Sequence, residues 1–348
     1  MRAVVLLAIA CGAPPLSEAK PALAPLVDPD LVLLATPAGD HAPFVAAIDG
    51  AASSIDMTMF HLTDPDIADA LVRAAKRGVR VRVILDGKSL ETKKFDKVAA
   101  KLRAGGVEAR GSSPQFSITH VKAMVVDHKA AFITAINLTR DVATTRDFGV
   151  VTKAKSVVAD VDALFAADWD NAAKSGNATP QLREPSLVVS PVTSRDRLTA
   201  LIGSAKRELA VTVENLGDPA IRDALLAAVR RHVDVKLVVP MCDKNANPLY
   251  NFDPAEKLAA GGVAVRMMPL PETAATPYMH SKMILADGAT AYVGSINFST
   301  NSMTKARELG VIFANPKAAA AIRAAFDADW QHAVPPPTSR PTDCPTVD

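Results

Sequence analysis

His120-Val121-Lys122-Ala123-Met124-Val125-Val126-Asp127 and His280-Ser281-Lys282-Met283-Ile284-Leu285-Ala286-Asp287 share one pattern, H-x-K-x-x-x-x-D, in two distant parts of a 348-residue chain. Ten residues past each aspartate stands an asparagine, Asn137 and Asn297. One such pattern is weak evidence of anything; two at matched places, each with its asparagine, are strong.

Around these stretches the chain repeats itself. In the first half Phe44–Ala52 is amphipathic, Ser54–Phe60 has strand character, and Asp64-Pro65 opens a helix carrying Ile67, Leu71, Val72 and Ala75 that stops at Gly78. Val79–Leu85 is a second strand pattern, and a helix with Val98 and Leu102 ends at Gly105-Gly106. The second half keeps the order: a helix over Leu198–Ala205, a strand over Leu209–Val213, a helix opened by Asp218-Pro219, a strand over Val233–Val239, and a helix through Leu258 ending at Gly261-Gly262. Gly261 follows Gly105 by 156 residues, His280 follows His120 by 160, and Trp330 follows Trp169 by 161, both tryptophans within Ala-Asp-Trp. Alternating strands and helices predict an α/β fold of two homologous repeats, each a mixed β-sheet flanked by helices. The expected divisions are a leader over 1–25, a first repeat over 26–172, a linker over 173–186, a second repeat over 187–333 and a Pro-rich tail over 334–348.

On a strand, residues i and i+2 share a face, so His120 and Lys122 point together, as do His280 and Lys282. If the two pairs meet, a pocket holds two titratable imidazoles and two ammonium groups. That set suits a phosphodiester, whose nonbridging oxygens gain charge during attack. Lys122, Lys282, Asn137 and Asn297 are the candidates to hold those oxygens. One histidine would attack phosphorus and the other protonate the leaving alcohol. Asp127 and Asp287 stand seven positions after their histidines, on the opposite strand face and in turn-like contexts, so both are read as structural. Asp147 and Glu308 are the better orienting partners, within matching Arg146-Asp147-Phe148-Gly149 and Arg307-Glu308-Leu309-Gly310. Which acid serves which histidine stays open at this point.

These residues resemble the phospholipase D superfamily, whose hallmark is H-x-K-x-x-x-x-D followed by G-S-x-N; the resemblance runs from about residue 30 to about residue 333. It implies two repeats packed with pseudo-twofold symmetry around one shared site, with no cofactor. It also implies His120 as nucleophile, His280 as acid, and Ser295 of Gly294-Ser295-Ile296-Asn297 among the groups that contact phosphate. The first copy departs from the pattern with Thr134-Ala135-Ile136-Asn137. Ala135 has no hydroxyl, so one hydrogen bond to the site is expected to be missing.

The remaining signals bound the function. The other five histidines, His41, His61, His128, His232 and His332, lack a repeated context and read as surface or supporting residues. Lys93-Lys94 reads as a solvated helix face, and the two tryptophans as anchors of the last helices. No metal-ligand spacing appears, and no obligate protein partner is implied. Net charge is only +2 and aromatic content 5%, which speaks against nucleic acid as the first substrate. Met1-Arg2 and the apolar run Ala3–Ala10 read as an export signal, with Cys11 a candidate for lipidation. In an oxidising compartment Cys242 and Cys344 could pair and pin the tail. The expected function is therefore an exported phospholipid phosphodiesterase at a membrane surface. Its rivals are a nuclease of the same superfamily and a noncatalytic binding protein. The cardiolipin synthase reading is set aside for want of N-terminal membrane helices.

Overall fold

The computed structural model describes residues 23–242, 250–340 and 344; most of the leader, with Cys11, lies outside the described residues. The first half runs β1 (Val32–Thr36), α1 (Ala42–Asp49), β2 (Ser54–Met59), α2 (Pro65–Lys76), β3 (Arg80–Leu85), α3 (Lys93–Ala104), β4 (Glu108–Gly111), β5 (Lys122–Val126), β6 (Ala130–Thr134), β7 (Thr145–Thr152) and α4 (Lys155–Lys174). The second runs β8 (Leu187–Ser190), α5 (Ser194–Ser204), β9 (Glu208–Thr212), α6 (Pro219–Arg230), β10 (Asp234–Pro240), α7 (Phe252–Ala260), β11 (Ala264–Met268), β12 (Tyr278–Met279), β13 (Met283–Ala286), β14 (Thr290–Gly294), α8 (Thr300–Thr304), β15 (Glu308–Phe313) and α9 (Pro316–His332).

The two sheets have the same topology. Their strand orders are β1-β7-β6-β5-β2-β3-β4 and β8-β15-β14-β13-β9-β10-β11. In each, the βαβ units pair in parallel and the motif hairpin pairs antiparallel, so both sheets are mixed, as the alternation of elements predicts. The edge strands β1 and β8 have no counterpart in the sequence reading, because each is short and lacks strict alternation. Helix α4 continues two residues into the stretch read as linker. Residues 175–186 then pack on the domain: the backbone N–H groups of Arg183 and Glu184 both donate to Asp160 at 2.6 Å.

The helices α2 and α6 begin as their sequences require. Asp64 accepts from the Asp66 N–H and Asp218 from those of Ala220 and Ile221, each with proline at the first turn. Period-2 alternation on the motif strands divides the core in three. Ala123 and Val125 of β5, with Met283 and Leu285 of β13, face a cluster shared by both halves, closed by Val161 of α4 and Phe326 of α9. Met124 and Val126 turn instead to the first half's own core under α1, α2 and α3. Ile284 and Ala286 turn to the second half's own core. The halves thus share a continuous apolar layer, which fixes one sheet against the other.

Short crossings of backbone also join the halves. β12 leaves its own sheet and pairs in parallel with β7, Tyr278 opposite Thr145 and Met279 opposite Arg146. Thr119 makes the matching bridge to Arg307. Cys242 and Cys344 form a disulfide with Cα atoms 5.6 Å apart, and Val334 pairs with Met267, so the tail is tied back to the second half. Among the described residues no helix is long and apolar enough to cross a membrane.

Asp127 and Asp287 sit where their odd spacing from the histidines puts them, in the turns of the β5–β6 and β13–β14 hairpins. Asp127-His128 and Asp287-Gly288 all have φ between 54° and 67°, the left-handed pair that a tight hairpin turn requires. Each carboxylate gathers the backbone N–H groups at the start of the neighbouring strand: Ala52, Ser53 and Ser54 for Asp127, and Lys206, Arg207 and Glu208 for Asp287. Burial pushes these carboxyls up, but the N–H groups outweigh it and hold both below the usual carboxylate range. Their stabilisation is therefore present above about pH 4 and is lost as pH falls through the depressed pKa. Asp127→Asn should destabilise by about 1–3 kcal/mol at pH 7, leave turnover per folded molecule intact, and converge with the wild type in acid unfolding experiments. A large loss of turnover with unchanged stability would assign Asp127 to the chemistry instead.

Candidate active site

The two motif histidines meet in one place. Their ring centroids lie 6.4 Å apart with planes at 66°, and both rings line a cleft of about 1350 Å³ between the halves. Each stands two or three residues before its hairpin strand, β5 from Lys122 and β13 from Met283. The entering backbone is hydrogen-bonded to the other half: the His120 N–H donates to the Arg307 carbonyl at 2.9 Å, and the Ser281 N–H to the Arg146 carbonyl at 2.8 Å.

That crossing decides which acid serves which histidine. Nδ1 of His120 meets Glu308 at 2.8 Å, and Nδ1 of His280 meets both oxygens of Asp147, at 2.9 and 2.8 Å. Each histidine takes its carboxylate from the other half. With Nδ1 held, Nε2 is the nitrogen left for chemistry on each ring. Burial, with the charges of Lys122, Lys282 and His280, holds the His120 imidazole well below its ordinary pKa, so it is neutral. Burial likewise raises the Glu308 carboxyl to about 7, against the nearby lysines.

The residues preceding these acids interlock the frame. Arg146 donates to Asp329 from both Nε and Nη2, at 2.7 and 2.8 Å. Arg307, fully buried, stands 3.0 Å from Asp168. Both aspartates belong to the Ala-Asp-Trp of the opposite half's last helix. The glycine two places after each acid lets strands approach closely: a Cβ on Gly149 would lie 2.4 Å from the Thr134 side chain, and one on Gly310 2.4 Å from Tyr292. The repeated Arg-acid-x-Gly and Ala-Asp-Trp thus form one structural unit.

The phosphate-binding candidates divide. Lys122 and Lys282 are buried behind the histidines. Lys122 Nζ donates to the His120 carbonyl at 3.0 Å and stands 4.8 Å from the Phe60 ring centroid. Lys282 Nζ donates to its own histidine's carbonyl and to Glu214 at 2.8 Å. Asn137 and Asn297 both line the cleft. Asn297 accepts from the Asn215 N–H at 3.1 Å and donates to Glu214 at 3.2 Å, whereas the buried Oδ1 of Asn137 has no hydrogen-bond partner. Ser295 is a correction. Its hydroxyl is fully buried against β15, bonded to the N–H and carbonyl of Leu309 at 3.1 and 3.3 Å, and it does not reach the cleft. Its carbonyl accepts from His120 Nδ1 at 3.0 Å, so it orients a histidine. The hydroxyl that Ala135 lacks is therefore a contact to β15 and to the acid it carries, not one that lines the cleft.

Glu214 went unread in the sequence, and His41 and His61 were read only as surface or supporting residues. Glu214 binds Lys282, Asn297 and the Tyr278 hydroxyl, the last at 2.8 Å. His41 is buried, with Nδ1 on Asp64 at 2.7 Å and Nε2 on the Asn137 carbonyl at 3.1 Å. Aligning the repeats on Asp64 and Asp218 finds its counterpart, Arg195, which grips Asp218 at 2.6 Å. His61 stacks between Phe60 and Phe95, at 3.7 and 4.5 Å between centroids, and lines the cleft. Lys93, read as a plain solvated face, stands at the cleft rim. Asp56, His128 and Asp162 bring possible metal-ligand atoms within 4.8 Å of one another at the β5–β6 turn, but Arg82 already bonds Asp56 through two contacts.

Two carboxylate-held histidines, each backed by a buried lysine and completed across a duplication, define the phospholipase D arrangement. The family described as cardiolipin synthase, PLD-like domain, matches residues 44–169 and again 198–330, and the chain belongs to it. Among its relatives, Phospholipase D Z of Dictyostelium discoideum is 26% identical, over 83% of this chain and 84% of that one. A cardiolipin synthase of Clostridium perfringens is 25% identical over 72% of this chain, which spans 58% of that protein's length. Phosphatidylserine synthase from Haemophilus influenzae superposes with a TM-score of 0.70 at 13% identity, covering 89% of this chain and 88% of its own; at that identity the likeness is one of fold.

Asp147→Asn should lower turnover about 10²- to 10⁴-fold with the fold intact, because His280 would lose its orienting acceptor. Ser295→Ala should lower thermal stability and leave KM within about twofold, since one strand hydrogen bond is worth roughly 1 kcal/mol. A KM rise as large as that of Asn137→Ala would return Ser295 to the phosphate.

Proposed function

We propose that this protein cleaves or transfers the head group of phospholipids through a phosphohistidine. The observation that carries the reading is the amphipathic cleft around the two histidines. Its large aliphatic and phenylalanine side chains, Phe60, Phe95, Val98, Ile118, Ile136 and Val142, all come from the first half, where polar residues such as Thr63, Thr139 and Asp141 stand among them; the second half adds Asn215, Tyr278, Ser299, Asn301 and Ser302. A diester with an apolar and a hydrophilic end suits such walls. Exposed Lys93, Lys97 and Arg140 at the rim favour an anionic surface.

In the first step, the lone pair of His120 Nε2 forms a bond to phosphorus as the phosphorus–oxygen bond to the head group breaks. The proton on His280 Nε2 passes to the leaving oxygen. Water or a second alcohol then attacks phosphorus, gives its proton back to His280, and releases His120 with its electron pair. Asn137 on the cleft wall and Lys122 behind His120 are the groups proposed to hold the nonbridging oxygens, whose growing charge is strongly stabilised in a dry, preorganised site. Hydrolysis and transfer differ only in the second nucleophile. The cardiolipin synthase reading therefore returns as a form of the same chemistry, with a lipid hydroxyl in place of water. Export of the protein to a membrane surface is part of the proposal; the Cys242–Cys344 disulfide supports it, since such bonds persist in oxidising compartments.

The test sets phosphatidylcholine and phosphatidylglycerol beside plasmid DNA, with chelator throughout. Phosphatidate release, diverted to phosphatidylethanol when ethanol is added, is the expected result, and His120→Ala should abolish it. Nicking of the plasmid with no lipid product would instead make the protein a nuclease.

A further inference from the structure

The two halves place different residues at one matched position beside the histidines. Thr58 of β2 pairs with Ala123, and Thr212 of β9 pairs with Met283, each directly after its motif lysine. Two residues further on, the first half has Phe60 and the second has Glu214. Phe60 offers His120 a ring at 4.7 Å between centroids and Lys122 a ring face. Glu214, 5% exposed, puts Oε2 3.6 Å from Nε2 of His280 and 2.8 Å from Lys282. So the reacting nitrogen of His280 has a carboxylate oxygen 3.6 Å away, whereas the His120 ring packs edge-on against an aromatic ring.

We propose that Glu214 is a positioning residue that makes the two histidines unequal: it keeps the leaving-group proton on His280 Nε2 and keeps anionic phosphate oxygens away from that nitrogen, leaving His120 as the attacking group. The inference rests on the phosphohistidine route above and names the device that sets its direction. Burial raises the Glu214 carboxyl, but Lys282 and His280 outweigh it and hold the group well below the usual carboxylate range, so the charge is present. The asparagines follow the same division. Asn297 gives a hydrogen bond to Glu214, while the Asn137 side chain has a buried oxygen without a partner. The second-half asparagine thus donates to a carboxylate that the first half does not have, Phe60 standing in that place. In the first step the proton that Glu214 retains on His280 moves to the leaving oxygen as the phosphorus–oxygen bond breaks; in the second it returns from the attacking water.

The experiment compares two esters with the same retained group: phosphatidylcholine, whose alkoxide must be protonated, and phosphatidyl-p-nitrophenol, whose phenolate leaves without a proton. In Glu214→Gln the loss of kcat for phosphatidylcholine should exceed that for the nitrophenyl ester by tenfold or more. A merely structural role would lower both alike, and an unchanged ratio overturns the proposal. The position of the adduct in wild-type protein denatured at alkaline pH decides the same point without any variant: the phosphorus-linked group on the peptide bearing His120 is expected, and the same group on the peptide bearing His280 overturns it. A wild type inert toward both esters would instead overturn the lipid reading of the preceding section.

Discussion

A histidine of one repeat reaches the acid of the other because the backbone leading into each motif is hydrogen-bonded to the strand that carries that acid. The bond from the His120 N–H to the Arg307 carbonyl places Glu308 one residue away, and the bond from the Ser281 N–H to the Arg146 carbonyl does the same for Asp147. Strand geometry then has little freedom left. A parallel crossing of one or two residues fixes register, register fixes which side chain points at which ring, and the ring's Nδ1 is committed. Neither half alone supplies a histidine with its carboxylate. The site exists only as a property of the assembled pair.

This dependence explains the buried charge at the seam. Arg146, Asp329, Arg307 and Asp168 are all nearly inaccessible to water. Burial raises the Asp168 carboxyl to about 6, a measure of how unfavourable its charge is there. Such pairs add little net stability, because desolvation offsets most of the attraction, but removing one partner leaves an uncompensated charge costing about 3–5 kcal/mol. Their value is geometric. Each arginine directly precedes an orienting acid and grips the last helix of the opposite repeat, so the helix, the acid and the opposite histidine move as one body.

Much of this was legible in the sequence, and what was not has a physical reason. Helix starts at Asp64-Pro65 and Asp218-Pro219, the strands around them and the duplication itself are carried by local patterns. The structural role of Asp127 follows from an odd count along a strand. The pairing of His120 with Glu308 could not be read, because it depends on how the two halves cross, and each acid is about equally far in sequence from its own histidine. Ser295 was misassigned because a hydroxyl beside a functional asparagine looks the same whether it faces phosphate or an adjacent strand. Glu214 and His41 carry no repeated signature: their counterparts are Phe60 and Arg195, so looking for likeness between the halves hides them. A search for differences at aligned positions would have found both.

Those differences have a direction. A fully symmetric site would accept a phosphodiester either way round, and each histidine would be nucleophile half the time. The frame keeps its symmetry where it serves the phosphorus atom: histidine, lysine, asparagine, orienting acid and gripping arginine occur in both halves. It loses symmetry at the walls, where the two ends of a diester differ. Phe60 and His61 stand where the second half has Glu214 and Asn215, and all four line the cleft. Ala135 stands opposite Ser295, and His41, holding the Asn137 carbonyl, opposite Arg195. Divergence of a duplicated chain is free to act at these places, since the interlocking strands already hold the reacting groups. A site made from two identical subunits has no such freedom, because every change would appear on both sides of the phosphate.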